Sequence, residues 1–220
     1  MSLVVKGFIF DMDGVIVESE QLWEESWADC CARRDVGWSI EDTRACQGMS
    51  SPEWADYVAG RIGDPGLAAA VRAECVDHVV KAVDSGRAPL LPGAPELVSE
   101  VGGRFPNALA SSAARPVIDA VLDYYGLDHF DAVVSSEEVA RGKPSPDVYL
   151  EAARRIDLDP ADGVAIEDSG NGIRAAHTAG LHVVAIPNRD YPPKPDALAL
   201  ADHVAADHAE ALAYVLSLIR

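Results

Sequence analysis

Apolar residues run almost unbroken from Val4 to Phe10, interrupted by Lys6 and Gly7, and so short a run reads as a buried parallel strand. From Glu18 to about Gly86 the period becomes helical. Trp23, Trp27, Cys30 and Cys31 recur at i, i+4, i+7 and i+8, with acids on the opposite face. Ser39 followed by Asp42 predicts a capping box at the start of a second helix. Gln47 to Pro52 is a small-residue turn in which Ser51 is expected to cap a third helix, with Pro52 at its first position. Gly63-Asp64-Pro65-Gly66 breaks the chain before a fourth helix, from about Leu67 to Val83. Beyond a Pro/Gly-rich linker (Ser85 to Pro89, then Leu91 to Gly93) the pattern alternates. Strands are predicted at Asn107–Ala110, Ala132–Val134, Val164–Ile166, His182–Ile186 and, more weakly, His203–Ala205. Helices are predicted over Ala94–Gly102 and Ala209–Ile219, with others ending near Tyr125, Ile156 and Ala179. Such alternation means a parallel sheet with right-handed crossovers. The expected architecture is an α/β core, residues 1–17 and 88–220, with residues 18–87 inserted as an all-helical cap.

Composition narrows the classes. A chain of 220 residues with 49% hydrophobic and 25% charged residues can bury a sizeable core. No apolar stretch approaches the roughly 20 residues needed to span a bilayer. Lys6, Asp11 and Asp13 interrupt the apolar N-terminal segment, unlike a signal peptide. A cytoplasmic protein, monomeric or weakly homodimeric, is expected. A formal charge of −18 argues against nucleic-acid and anionic-membrane surfaces, so an anionic substrate would need positive charge supplied locally. Cys30, Cys31, Cys46 and Cys75 lack zinc-ligand spacing and read as buried small hydrophobes in a reducing compartment.

The candidate chemistry lies at strand ends. Asp11, Asp13 and Gly14 follow the first strand, at the edge where open α/β sheets bind ligands. Three readings fit that motif alone: a turn with two solvated aspartates, a metal site, or a nucleophile with its own acid/base. Later strand ends carry Ser111, Lys143 and the pair Glu167-Asp168, and in a parallel sheet all of these share one edge. Asp11, Asp13, Glu167 and Asp168 would repel one another unless a divalent cation lay among them. An oxygen-only ligand set suits Mg²⁺, which also accepts phosphate oxygens. Ser111, with Ser112-Ala113-Ala114 expected to open a helix, could grip an anion, and Lys143 would add a positive charge on a turn stiffened by Pro144. Singly, each group has a plain alternative: a helix cap, a solvated lysine, an acidic first helical turn. Together at four strand ends they point to a phosphate site.

These motifs resemble those of the haloacid dehalogenase superfamily, in its branch with a helical cap after the first motif. Asp11-Met12-Asp13-Gly14-Val15, Leu109-Ala110-Ser111-Ser112, Gly142-Lys143-Pro144-Ser145-Pro146 and Ile166-Glu167-Asp168-Ser169 are similar to its four motifs, in order and across nearly the whole chain. The resemblance implies a Rossmann-like core and a cap that opens and closes. It implies Asp11 as nucleophile, forming an aspartyl phosphate, and Asp13 as the acid that protonates the leaving oxygen and then activates water. Mg²⁺ would be held by Asp11, the Asp13 main-chain carbonyl and Asp168, with Glu167 in or near the shell. Ser111 and Lys143 would hold phosphoryl oxygens.

Within that superfamily Asp13 argues against a dehalogenase, which needs no protonated leaving group. The absence of any lysine before Lys81 in the cap argues against a Schiff-base phosphonate hydrolase. A β-phosphoglucomutase-type mutase would need bases in the cap turn, where Gln47, Gly48, Met49, Ser50 and Ser51 stand, and a histidine where Trp23 falls. Gln47, Gly48, Ser50 and Ser51 suit a neutral, hydroxyl-bearing leaving group. The expectation is a phosphatase acting on a small phosphorylated metabolite, a sugar or polyol phosphate. A catalytically idle binding module would ordinarily have lost one of these acids.

Overall fold

The structure is a computed structural model describing residues 4–189 and 191–219. Six parallel strands form one sheet: β1 (Gly7–Phe10), β2 (Asn107–Ser111), β3 (Ala132–Ser135), β4 (Gly163–Glu167), β5 (His182–Ala185) and β6 (His203–Val204). Their order is β3-β2-β1-β4-β5-β6. The chain builds outward from β1 to β3, then crosses back to place β4 on the other side of β1. That reversal opens a crevice at the carboxyl ends of β1 and β4, where this topology places ligands. The predicted α/β class holds. The first strand is shorter than its apolar run, because pairing begins at Gly7 while Val4 is 59% exposed.

Alternation along the strands decides which helices cover which face. Phe8, Phe10, Leu109, Val164 and Ile166 face α5 (Ala94–Gly102), α6 (Arg115–Tyr125) and α10 (His208–Leu218). Ile9, Ala108, Ala110, Ala165 and Val183 face α7 (Asp147–Arg155) and α8 (Gly170–Ala179). The mostly small residues of the second set let α7 and α8 approach closely. A four-residue helix, α9 (Pro195–Leu198), is too short to carry a periodic signal.

Between β1 and β2 lie α1 (Glu20–Ala32), α2 (Ile40–Cys46), α3 (Ser51–Ile62) and α4 (Ala68–Asp84). The Ser39–Asp42 capping box is present as expected. At α3 the cap is Ser50, not Ser51: Glu53 accepts from the Ser50 amide and hydroxyl, which makes Ser51 the first helical residue. Either serine could cap, and the acid three residues on selects the first. All four tryptophans meet in this block. Trp23, Trp27 and Trp54 are mutually packed with centroids 5.5–6.1 Å apart, and Trp38 bridges Trp27 to Tyr57. The four cysteines are free and buried, and burial holds each thiol above its usual range. Among the described residues no helix is long and apolar enough to cross a membrane.

At the far edge of the sheet, His182 Nε2 lies 2.9 Å from the Tyr214 hydroxyl, and His203 stacks on the same ring with centroids 3.8 Å apart. Burial holds His182 below its ordinary value, against the pull of Asp202. The unfolded chain therefore takes up this proton more readily than the folded one. Stability contributed here is complete above about pH 6.5 and is lost as pH falls through the lower folded value. Melting temperature should fall between pH 7 and pH 5, and His182→Gln should flatten that slope when Tm is followed by circular dichroism.

Candidate active site

Asp11 is the first residue beyond β1, and its amide still donates to Ile166 O at 3.0 Å, so it leaves the sheet in register with β4. The chain then turns tightly. Met12 O accepts the amides of Val15, Ile16 and Val17, and Gly14 takes φ +77°. A Cβ at position 14 would lie 2.0 Å from Asp168 Oδ2, so glycine is required both for the backbone and for this approach. That approach sets the Asp13–Gly14 turn against the Asp168 carboxylate.

Glu167 ends β4 with no exposed surface and with both oxygens occupied. Oε1 accepts from Lys143 Nζ at 2.7 Å and the Tyr149 hydroxyl at 2.9 Å. Oε2 accepts from the amides of Asp168 and Ser169, both at 2.9 Å, and from Ser169 Oγ at 3.1 Å. Gly172 leaves the room, since a Cβ there would fall 1.5 Å from Oε1. Lys143, itself 2% exposed, also lies 2.9 Å from Asp11 Oδ1 and 4.9 Å from the Tyr149 ring centre. The lysine is thus held between Glu167 behind it and Asp11 in front.

Charge follows from this packing. Burial would raise Glu167, but Lys143 and the hydrogen bonds hold it below the usual carboxylate range. Burial drives Asp11 well above that range despite Lys143, and drives Asp168 up as well, with Glu167 and Asp11 adding repulsion. Burial also raises Asp13 above its usual range, opposed by hydrogen bonds from Ser19 and Trp23.

Oxygens of Asp11, Glu167 and Asp168 all lie within 4.8 Å of one another. Glu167 is saturated by protein donors, no donor among the described residues reaches the Asp168 carboxylate, and Asp11 Oδ1 accepts no aligned hydrogen bond. Hard oxygens left open beside a buried anion pair fit a divalent cation. The Asp13 carboxylate lies outside this cluster and is engaged by the hydroxyls of Ser19 and Ser111.

A cavity of about 360 Å³ opens over these groups, between the sheet edge and the helical block. Asp11, Asp13, Lys143 and Asp168 line it, together with Gln47, Gly48 and Ser112. Ser50 and Ser51 do not. Ser50 is turned into the α3 cap and Ser51 is fully buried. Ser111 also lies beneath the lining. Its Oγ donates to Asp13 and accepts from Ala113 N, and α6 begins only at Arg115, not at Ser111 as expected. Trp23 and Trp54 line the cavity while also packing in the core of the helical block.

Other lining residues had no sequence signal: Glu20, Arg44, Asn171, Asn188, Tyr191 and Lys194. Packing between distant segments brings them in. Asn171 Nδ2 donates to Gln47 O at 3.4 Å, and Tyr191 donates to Glu24 at 2.8 Å. Glu20 is pushed up to about 7 by burial and by Asp13 and Glu18, opposed by Gln47.

The description that matches residues 5–180 is haloacid dehalogenase-like hydrolase. Fructose-1-phosphate phosphatase YqaB of Escherichia coli is 32% identical over 189 residues, covering 82% of this chain and 95% of that protein. Hexitol phosphatase B of E. coli is 34% identical over 192 residues, covering 81% and 82%. The crystal structure of CbbY from Rhodobacter sphaeroides in complex with phosphate superposes with a TM-score of 0.82 at 28% identity, covering 94% of this chain and 96% of that one. The chain belongs to the haloacid dehalogenase-like hydrolase family, whose members generally use a divalent metal.

Glu167→Gln removes the charge behind Lys143 and leaves a buried cation with one partner. Urea unfolding should show a loss of about 3–5 kcal/mol.

Proposed function

We propose that this chain is a Mg²⁺-dependent phosphatase that hydrolyses small phosphorylated sugars or polyols through an aspartyl phosphate on Asp11. The observation that carries the reading is Asp11 at the end of β1, facing the cavity against buried Lys143, with a second carboxyl two residues on that also lines the cavity. Its named relatives, a fructose-1-phosphate phosphatase and a hexitol phosphatase, support the substrate class.

In this proposal Asp11, Asp168 and the Asp13 carbonyl hold Mg²⁺, and Glu167 serves by anchoring Lys143. When bound, the ion offsets the crowded carboxylates and draws charge from the phosphoryl oxygens. An Asp11 oxygen forms a bond to phosphorus as the bond to the leaving oxygen breaks, and Asp13 gives its proton to that oxygen. Asp13 then takes a proton from water, whose oxygen bonds to phosphorus as the Asp11–phosphorus bond breaks. Lys143 neutralises the phosphoryl oxygens throughout. Residues 18–87 would act as a cap that closes on substrate and excludes bulk water, with Gln47, Gly48 and Ser112 at the seam. Glu20 and Gln47 would pair with hydroxyls of the leaving group, which suits a polyol.

A second reading draws on Arg44, which lines the cavity from α2 and could meet a second phosphate, as a phosphosugar mutase or a bisphosphate phosphatase requires. Phosphate release from a panel of monoesters, bisphosphates and phosphoglycolate separates these readings. We expect release from hexose and hexitol phosphates with Mg²⁺, abolished by EDTA. Asp11→Asn should lose about a thousandfold or more in kcat, and Asp13→Asn about 10²–10⁴-fold. Conversion of β-glucose 1-phosphate to glucose 6-phosphate without release would favour the mutase instead.

A further inference from the structure

Val15 sits immediately after Gly14 in the loop that carries Asp13, and it is 1% exposed. The neighbouring carbonyls are satisfied within the hinge: Met12 O by three amides of its own turn, Ile16 O by Leu91 N, and Val17 O by Gly14 N. Val15 O is reached from 193 positions away, by His208 Nε2 at 2.6 Å. A carbonyl only accepts, so Nε2 carries the proton. His208 is the first residue of α10, is 6% exposed, and is held in place by Asp207, whose side chain accepts from Glu210 N to cap the helix.

The same side chain meets the returning connection. Val17 bridges Leu90, Glu18 N donates to Pro89 O, and Leu91 N donates to Ile16 O, so the two crossings between sheet and helical block form one short ladder. Gly93 follows directly, at φ +86°, and a Cβ there would lie 2.8 Å from His208 Cβ. His208 therefore holds the outgoing crossing at Val15 through its imidazole and lies against the returning one at Gly93 through its Cβ. It does so without reaching the cavity.

We propose that His208 is a positioning residue that pins both crossings, fixing the Asp13 loop and the pivot on which the helical block closes. Its kinetic consequence rests on the phosphatase reading above, whereas its effect on the crossings does not. Losing the donor leaves Val15 O unpaired in a dry site, and the ladder beneath it opens more often.

The test combines hydrogen exchange with kinetics on the full chain. In His208→Ala, the amides of Gly14, Glu18 and Leu91 should exchange about tenfold faster, while Phe10 and Ile166 in β1 and β4 keep wild-type protection. With a hexitol phosphate, kcat should fall about 10- to 100-fold, with a smaller change in KM. His208→Gln, which keeps a donor, should recover most of both. Gly93→Ala, which drives a methyl group into His208, should speed the same three amides and serves if His208→Ala does not fold. Wild-type exchange at the crossings in His208→Ala, or equal loss of protection in β1 and β4, would overturn the proposal. So would Gly93→Ala that leaves those amides unchanged. Altered exchange without turnover by the wild type would instead count against the phosphatase reading alone.

Discussion

Every part of this site answers to one constraint: four carboxylates and one lysine share a nearly dry place. Among the described residues Lys143 is the only lysine or arginine that is buried, and it faces Asp11, Glu167 and, more distantly, Asp168 and Asp13. Asp11 and Glu167 raise the lysine above its ordinary value against the cost of burial, so it stays charged. One cation cannot balance four acids. The chain meets the excess partly by hydrogen bonds, which saturate Glu167, and partly by leaving Asp11 and Asp168 open to a cation. A buried ion pair of this kind adds little to stability by itself. Its value is to fix Asp11 Oδ1 against a positive charge that a phosphoryl group can share.

The fold serves that constraint by bringing three loops together without side-chain obstruction. The strand order puts Asp11 and Asp168 on adjacent strands β1 and β4. Gly14 and Gly172 then remove the atoms that would keep the loops apart. The Lys143–Pro144 peptide is cis within the third of those loops. The helical block is not a separate oily body: Trp23, Trp27 and Trp54 belong to the same hydrophobic cluster as Phe8, Phe10 and Ile166. Its polar seam at Gln47 and Gly48 meets Asn171 and Ser112, so the cavity exists only where both parts contribute.

The residues that were legible in the sequence are those placed by local rules. Asp11, Glu167 and Asp168 lie at strand ends, and parallel topology alone brings strand ends to one edge, whereas Lys143 stands eight residues beyond β3 and reaches that edge on a loop. The strands were recoverable because each is a short apolar run bounded by polar turns. Residues placed by contact between remote segments left no comparable trace. Arg44 and Tyr191 lie on an ordinary helix and an ordinary loop, and become cavity walls only when α2 and the segment after β5 converge. Ser50 and Ser51 misled for a local reason: a serine near a turn is equally apt to cap a helix as to meet a ligand, and Glu53 settles the first use. Ser111 shows the converse, since its hydroxyl serves Asp13 and the chain rather than lining the cavity.

Asp11 as the atom donor is the claim on which the account stands, and it can be read without choosing the physiological substrate. A single turnover with Mg²⁺ and a turned-over phosphate ester, quenched in acid and reduced with borohydride, converts an acyl phosphate to an alcohol that peptide mass spectrometry can place. Reduction is expected at position 11 and nowhere else, and absent from Asp11→Asn. Phosphate release at the full rate with Asp11 unreduced, or reduction at another carboxylate, would contradict it.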